Sequence, residues 1–271
     1  MESGNLAAHS IEITGAGSGV GKALAMQFKD NKGVSMRLIG GRRKDELQRT
    51  HQETNACGHS AGDIFDPTSE PYNRIMFSCA DVIAHIAAIN LDTHEDQSQR
   101  DPLRVQQNTF LERLIEGMKS FTPSNPRLLL VVNSVTAFFA RELPKAAALP
   151  YMRMKMEQAD ILSAARVDLD AAGIQLSVVY PGAIRTEMMK HLPDDDKAVR
   201  MANMFGSRLK RVPGREAGLV QDHIFQPQEI AEALAKLVNY FFVNGTIPES
   251  SKDWIMANHA DMVLPELEAV R

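Results

Sequence analysis

Apolar residues in this chain fall in short runs, separated by stretches in which they recur at helical spacing. "SIEITG" reads as a strand running into a glycine-rich turn, and "VGKALAMQFKDN" as the helix that follows. "SMRLIGG" predicts a second strand and "KDELQRTHQE" a second helix. "DVIAHIAAI" and "RLLLVVNS" read as buried strands. Between them, "VQQNTFLERLIEGMKSF" places Phe110, Leu111, Leu114, Ile115 and Met118 on one face of an amphipathic helix. "YMRMKMEQADILSAARVDLDAAG" is a long helix with Gly173 as its terminating glycine. "IQLSVVYPG" is a further strand, "PQEIAEALAKLVNYFF" a late helix, and Trp254 with Ile255 and Met256 the approach to a last strand. This β-α succession predicts an α/β fold: a doubly wound parallel sheet in three αβα layers. Pro67 and Pro71 argue against a long helix between Asp63 and Asp81. The segment from about Thr186 to Asp222 breaks the alternation and is rich in Met, Pro and charge. Its place after a late strand predicts a helical lid over a substrate site.

Length and composition change this picture little. At 271 residues the chain suits one large domain spanning 1–271. A formal net charge of −4 gives no reason to expect a nucleic-acid surface. No apolar run reaches membrane-spanning length, and the N-terminus does not read as a signal peptide. Cys57 and Cys79 then read as reduced thiols of a cytoplasmic protein, without metal-ligand spacing. Asp194, Asp195 and Asp196 are consecutive and do not converge on a metal, so no metal is expected. Met188, Met189, Met201 and Met204 read either as packing residues or as a pliable pocket lining.

Two features carry candidate chemistry. Gly15, Gly17, Gly19 and Gly21 stand between the first strand and the first helix. There a tight turn lets backbone N–H groups approach a pyrophosphate, and the helix N-terminus faces its charge. After the second strand, where NAD-binding chains usually carry a carboxylate, Gly41 is followed by Arg42, Arg43 and Lys44. Guanidinium groups suit a 2′-phosphate, so the expected cofactor is NADP(H). The second feature is Tyr151 with Lys155 one helical turn later on the same face. A phenol ordinarily titrates near about 10, and a neighbouring ammonium stabilises its anion for proton exchange at neutral pH.

Thr14-Gly15-x-x-x-Gly19-x-Gly21 resembles the glycine turn of the short-chain dehydrogenase/reductase family, in its compact single-domain branch. The turn, a serine at a strand end, Tyr-x-x-x-Lys and a Pro-Gly-x-x-x-Thr element occur in family order from Ile13 to Thr186. The resemblance implies cofactor contacts from Gly15, Gly17, Ser18, Gly19, Val20 and Gly21. It adds the 2′-phosphate at Arg42 and Arg43, adenine at Asp63, and the nicotinamide side at Tyr151, Lys155, Pro181, Gly182, Ile184 and Thr186. Catalytic roles would fall to Tyr151 as proton donor or acceptor, Lys155 beside it, Ser134 on the substrate oxygen, and Asn108 in a water relay to the lysine. The fourth-strand motif departs from the family pattern: His85-Ile86-Ala87-Ala88 is closer to the variant of the extended branch. Ala87 leaves room for cofactor, and His85 reads either as a cofactor-side group or as a satisfied, semi-buried histidine. The interval from Ser134 to Tyr151 exceeds the family's usual one, with the excess in "ARELPKAAALP", read as a surface loop.

The activity implied is hydride transfer between nicotinamide and the carbonyl or secondary alcohol of a small, apolar substrate, by a homodimer or homotetramer. A dinucleotide-binding sensor without catalysis, and an epimerase or dehydratase on the same fold, are the alternatives.

Overall fold

The structure, a computed structural model, describes residues 9–40, 43–89, 91, 96–120, 125–142, 149–187 and 224–268. Seven strands form one parallel sheet in the order β3-β2-β1-β4-β5-β6-β7. They are β1 (His9–Thr14), β2 (Val34–Ile39), β3 (Gly58–Ser60), β4 (Val82–His85), β5 (Arg127–Val132), β6 (Ile174–Pro181) and β7 (Asp253–Met256). The order reverses between β1 and β4, so a crevice opens there beyond the carboxyl ends of the strands.

The two cores follow from the two-residue period of the strands. All six residues of β5 are buried. Leu128, Leu130 and Val132 join one core, with Ile11 and Ile13 of β1, α1 (Gly19–Gln27) and the late helix Pro227–Asn244. Leu129 and Val131 join the other, under α4 (Arg100–Lys119) and α6 (Pro150–Ala171). Between these pairs of helices stand α2 (Lys44–Thr54), α3 (Glu70–Met76) and α5 (Thr136–Glu142) in chain order. With Pro227–Asn244 as α7 and Pro265–Glu268 as α8, helices cover both faces.

Local chemistry fixes the boundaries. Pro150 opens α6, and Gly173, at φ +73°, follows its end. α7 starts in a reciprocal capping box between Gln226 and Glu229, and Gly245 closes it at φ +66°. Pro71 limits α3 to seven residues by sitting in its first turn, where Ser69 Oγ accepts the Tyr72 N–H. Two expectations need correction. β4 ends at His85, well short of Ile89, because the N–H groups of Ile86 and Ala87 turn to the Thr14 hydroxyl (2.9 and 3.1 Å). Ala140 and Arg141, expected in a surface loop, belong to α5, whose first turn is held by Ser134 Oγ accepting the Thr136 N–H.

The expected lid lies outside the described residues beyond Glu187, as do its methionines and Asp194 to Asp196. Its two ends are joined: Ile184 bridges Phe225, Arg185 N–H donates to Phe225 O (2.7 Å), and Phe225 N–H donates to Ala183 O (3.0 Å).

Candidate active site

The glycine turn caps the carboxyl end of β1. Gly15 and Gly19 take left-handed backbone, at φ +71° and +53°. A side chain on Gly15 would meet the Ala87 backbone at 3.0 Å, and one on Gly21 would lie 2.4 Å from Gly15 O. A side chain on Gly17 would touch the Leu47 backbone at 3.5 Å. The turn is therefore wedged between the end of β4, the start of α2 and its own helix. Val20 is buried, so its side chain serves the core and only its backbone is left for a ligand. Ser18 is the N-cap of α1, and its hydroxyl makes no cap bond. It accepts instead from Arg43 Nη2 at 2.8 Å.

Arg43 caps α2, and its Nη1 also meets Glu46 (3.3 Å) and Glu187. Arg42 lies outside the described residues. Asp63 shapes a turn after β3: its Oδ1 accepts the Phe65 N–H (3.0 Å) and its backbone oxygen accepts from Ser69 Oγ (2.6 Å). Gly40, at φ +72°, lets β2 pass Ile64, whose Cγ2 would lie 1.9 Å from a Cβ placed there.

At the crevice, Thr14 is fully buried and ties β1 to β4. Its oxygen accepts two N–H groups, so its own proton goes to His85 Nδ1 at 3.0 Å. His85 then carries its proton on Nε2. Burial, with a smaller contribution from the Lys155 charge, pushes its pKa down to about 3. The ring packs at 5.1 Å from that of Phe110. The ring is buried and bonded to Thr14.

Lys155 and Tyr151 stand one turn apart on α6, with the ammonium 5.8 Å from the phenol ring centre. Lys155 is 3% exposed, and burial lowers its pKa to about 8. Its Nζ donates to Gln158 Oε1 at 3.1 Å, also buried. Asn133 Nδ2 donates to the Lys155 carbonyl (3.1 Å), joining the end of β5 to the first turns of α6. Ser134 follows at once. Its Oγ accepts the Thr136 N–H (3.2 Å) and the Thr136 hydroxyl (3.0 Å), which leaves its own proton for a ligand oxygen.

Asn108, expected in a water relay to the lysine, lies on α4 where it packs against α6, the helix of Lys155. Its Nδ2 donates to Glu157 Oε2 at 2.6 Å, beside the Arg104–Glu157 ion pair, between α4 and α6. Its neighbour Gln107, 1% exposed, reaches the connection beyond β4, where its Oε1 accepts the Ile89 N–H at 2.8 Å. Gln107 lies three and four residues before Phe110 and Leu111 on the buried face, which was the available sequence signal. Gln158, Asn133 and Glu187 were also missed, and nothing in their spacing marked them.

The last element closes the site. Pro181 is buried at the end of β6, and Gly182 N–H donates to Met256 O at 2.8 Å. Ile184 makes the bridge to Phe225. Thr186 rests on the glycine turn, its Cγ2 3.4 Å from where a Gly19 side chain would begin. Among the described residues no group of three His, Cys, Asp or Glu side chains could hold a metal, and no helix is long and apolar enough to cross a membrane.

No protein-family model matches the chain. A Listeria innocua protein described as an uncharacterized oxidoreductase is 25% identical over 236 residues, covering 81% of this chain and 92% of that protein. BdcA, solved in complex with NADPH, superposes with a TM-score of 0.63 at 19% identity, over 92% of each chain. A Brucella melitensis structure described as a ribose-5-phosphate isomerase gives a TM-score of 0.67 at 16% identity, over 98% of this chain and 97% of that one. Fold and comparisons define a doubly wound parallel α/β class. Within it, the chain is built on the short-chain dehydrogenase/reductase fold, with the motifs of that family in order along it.

Proposed function

We propose that the protein is an NADP(H)-dependent oxidoreductase that interconverts a carbonyl and a secondary alcohol on a small, apolar substrate. The observation carrying this reading is the Tyr151–Lys155 pair, a half-buried phenol with a buried ammonium 5.8 Å from its ring. The kinship with an oxidoreductase of Listeria innocua and the NADPH bound in BdcA support it.

The crevice fits a dinucleotide. Gly15 and Gly21 let the turn pack against Ala87 and against itself, and this tight, left-handed turn leads into the N-terminus of α1, where backbone N–H groups suit a pyrophosphate. Gly15, Gly17, Ser18, Gly19, Val20 and Gly21 would hold the pyrophosphate by their backbone, and Arg43 with Arg42 the 2′-phosphate. Asp63 would face adenine, with Ala87, Pro181, Gly182, Ile184 and Thr186 around the nicotinamide. When bound, the dinucleotide supplies the two-electron carrier, and the protein supplies position and protons.

Tyr151 gives or takes the proton at the substrate oxygen. The Lys155 ammonium beside it stabilises the phenolate, and burial strengthens that effect. Ser134 donates its free proton to the same oxygen and orients the carbonyl. Gln158 holds the ammonium in place while the site is empty. The whole chain, 1–271, acts as one domain, with the segment at about 186–222 over the substrate, in a cytoplasmic homodimer or homotetramer.

Titration with NADPH and NADH, followed by fluorescence, tests the cofactor. NADPH is expected to bind more tightly, and Arg43→Ala to weaken NADPH selectively. A carbonyl screen then follows NADPH consumption, with Tyr151→Phe expected to lower turnover by about 10²- to 10⁴-fold while nucleotide binding persists. Failure of both nucleotides to bind would refute the proposal.

A further inference from the structure

Arg43 is not waiting unpaired for a phosphate. Its Nη2 is on Ser18 Oγ, and its Nη1 meets two carboxylates, Glu46 and Glu187. The carboxylates differ in origin. Glu46 belongs to the same helix, three residues on. Glu187 arrives from the far side of the groove, directly after Thr186, which lies against Gly19 of the glycine turn. The Arg43–Glu187 pair therefore spans the mouth of the groove above the turn that would cradle a pyrophosphate.

A 2′-phosphate brings two negative charges and several acceptor oxygens to the same guanidinium. It would meet the Glu187 carboxylate as a like charge competing for Nη1. Glu46 is fixed to α2, so Glu187 is the group that gives way. Both side chains of the spanning pair are about half exposed, at 47% and 51%, so the pair is weak enough to exchange. A nucleotide with a free 2′-hydroxyl has no such requirement.

We propose that Glu187 is a specificity determinant at the adenosine end of the site: its carboxylate occupies Arg43 in the free protein and must be displaced by a 2′-phosphate. This rests on the NADP(H) reading and deepens it. Glu187 tempers the preference that Arg43 creates.

Calorimetric titration with adenosine 2′,5′-bisphosphate and with AMP separates the two ideas, because these probes differ only in the 2′-phosphate. Wild type binding the bisphosphate no better than AMP would refute the NADP(H) reading, and the role of Glu187 with it. If wild type prefers the bisphosphate, Glu187→Gln should tighten that ligand about two- to fivefold, the factor matching an exposed ion pair. AMP should be unchanged. The gain should shrink at high salt and vanish in an Arg43→Ala background. An unchanged or weakened bisphosphate affinity in Glu187→Gln, or an equal gain for AMP, would overturn the proposal. Glu53→Gln, whose carboxylate pairs with Lys22, serves as the control for general charge and should move neither ligand.

Discussion

Lys155 is a charge placed where the fold must work against it, and replacing it by methionine should stabilise the protein. In the unfolded chain the ammonium titrates near its ordinary 10.5, and burial in the fold lowers this to about 8. Below about pH 8 the folded state therefore carries the full cost of a buried, protonated lysine, roughly 3 kcal/mol. From about pH 8 to 10.5 the unfolded chain keeps a proton that the folded chain has released, so this cost fades as pH rises. Lys155→Met removes the charge and keeps the aliphatic volume. It also takes the donor from Gln158 Oε1, which costs about 1 kcal/mol. The Asn133 bond is to the Lys155 backbone and survives. The net expectation is a gain of about 2 kcal/mol at pH 7, shrinking toward zero and below as pH approaches 10. Urea unfolding of both proteins at pH 7, 8, 9 and 10 measures the gap, and the comparison cancels every other group that titrates. A variant less stable than wild type at pH 7, or a gap that stays constant across the range, would refute the reasoning. The same variant should lose turnover, since its phenol has no ammonium beside it.

Thr14→Val leaves the Ile86 and Ala87 N–H groups without their acceptor and should cost about 2–3 kcal/mol in urea unfolding, while Thr14→Ser, which keeps the hydroxyl, should cost under half of that. Gly21→Ala forces a methyl group to within 2.4 Å of Gly15 O, so the turn must shift. It should lower stability by about 1–3 kcal/mol and, measured by fluorescence titration, weaken dinucleotide binding more than tenfold.

How far the sequence could be read depends on where each signal resides. β5 is buried on both faces, so its run of five apolar residues after Arg127 announces it, and strands at the centre of a parallel sheet generally read this way. β3 is three residues, Gly58–Ser60, with no apolar pattern, and only the alternation around it implied a strand there. α5 is seven residues, and Ser134, whose hydroxyl is also the candidate substrate ligand, accepts the N–H of its first residue, so a turn-forming group hid inside a candidate catalytic motif. The motifs located the crevice because backbone requirements, such as the left-handed Gly15 and Gly19, are written in residue type. Side-chain partnerships are not written that way. Gln158 looks in sequence like any polar position of a long helix, and only the buried Lys155 beside it gives it a role. Asn108 and Gln107 differ by one residue in sequence, and the turn of the helix sends one to Glu157 and the other to Ile89 in the connection beyond β4.

The polar groups gathered at the carboxyl end of the sheet also explain why the crevice keeps its shape. Strand ladders hold β1 and β4 together only as far as Ile13 and Ala84. Beyond that point, at the switch of strand order, adjacent connections leave in opposite directions and the backbone must find other partners. Thr14 supplies them, and its remaining proton fixes the ring of His85. A histidine held neutral by burial adds no second positive charge beside Lys155. The lysine can then remain an ammonium at neutral pH, although burial has brought its pKa down to about 8. A protonated imidazole at the same position would repel that ammonium and push its pKa lower still. The departure from the family pattern at His85 is thus compatible with the candidate chemistry for a physical reason: burial keeps the histidine uncharged, Thr14 fixes its ring, and the charge of the site stays on the residue one turn from Tyr151.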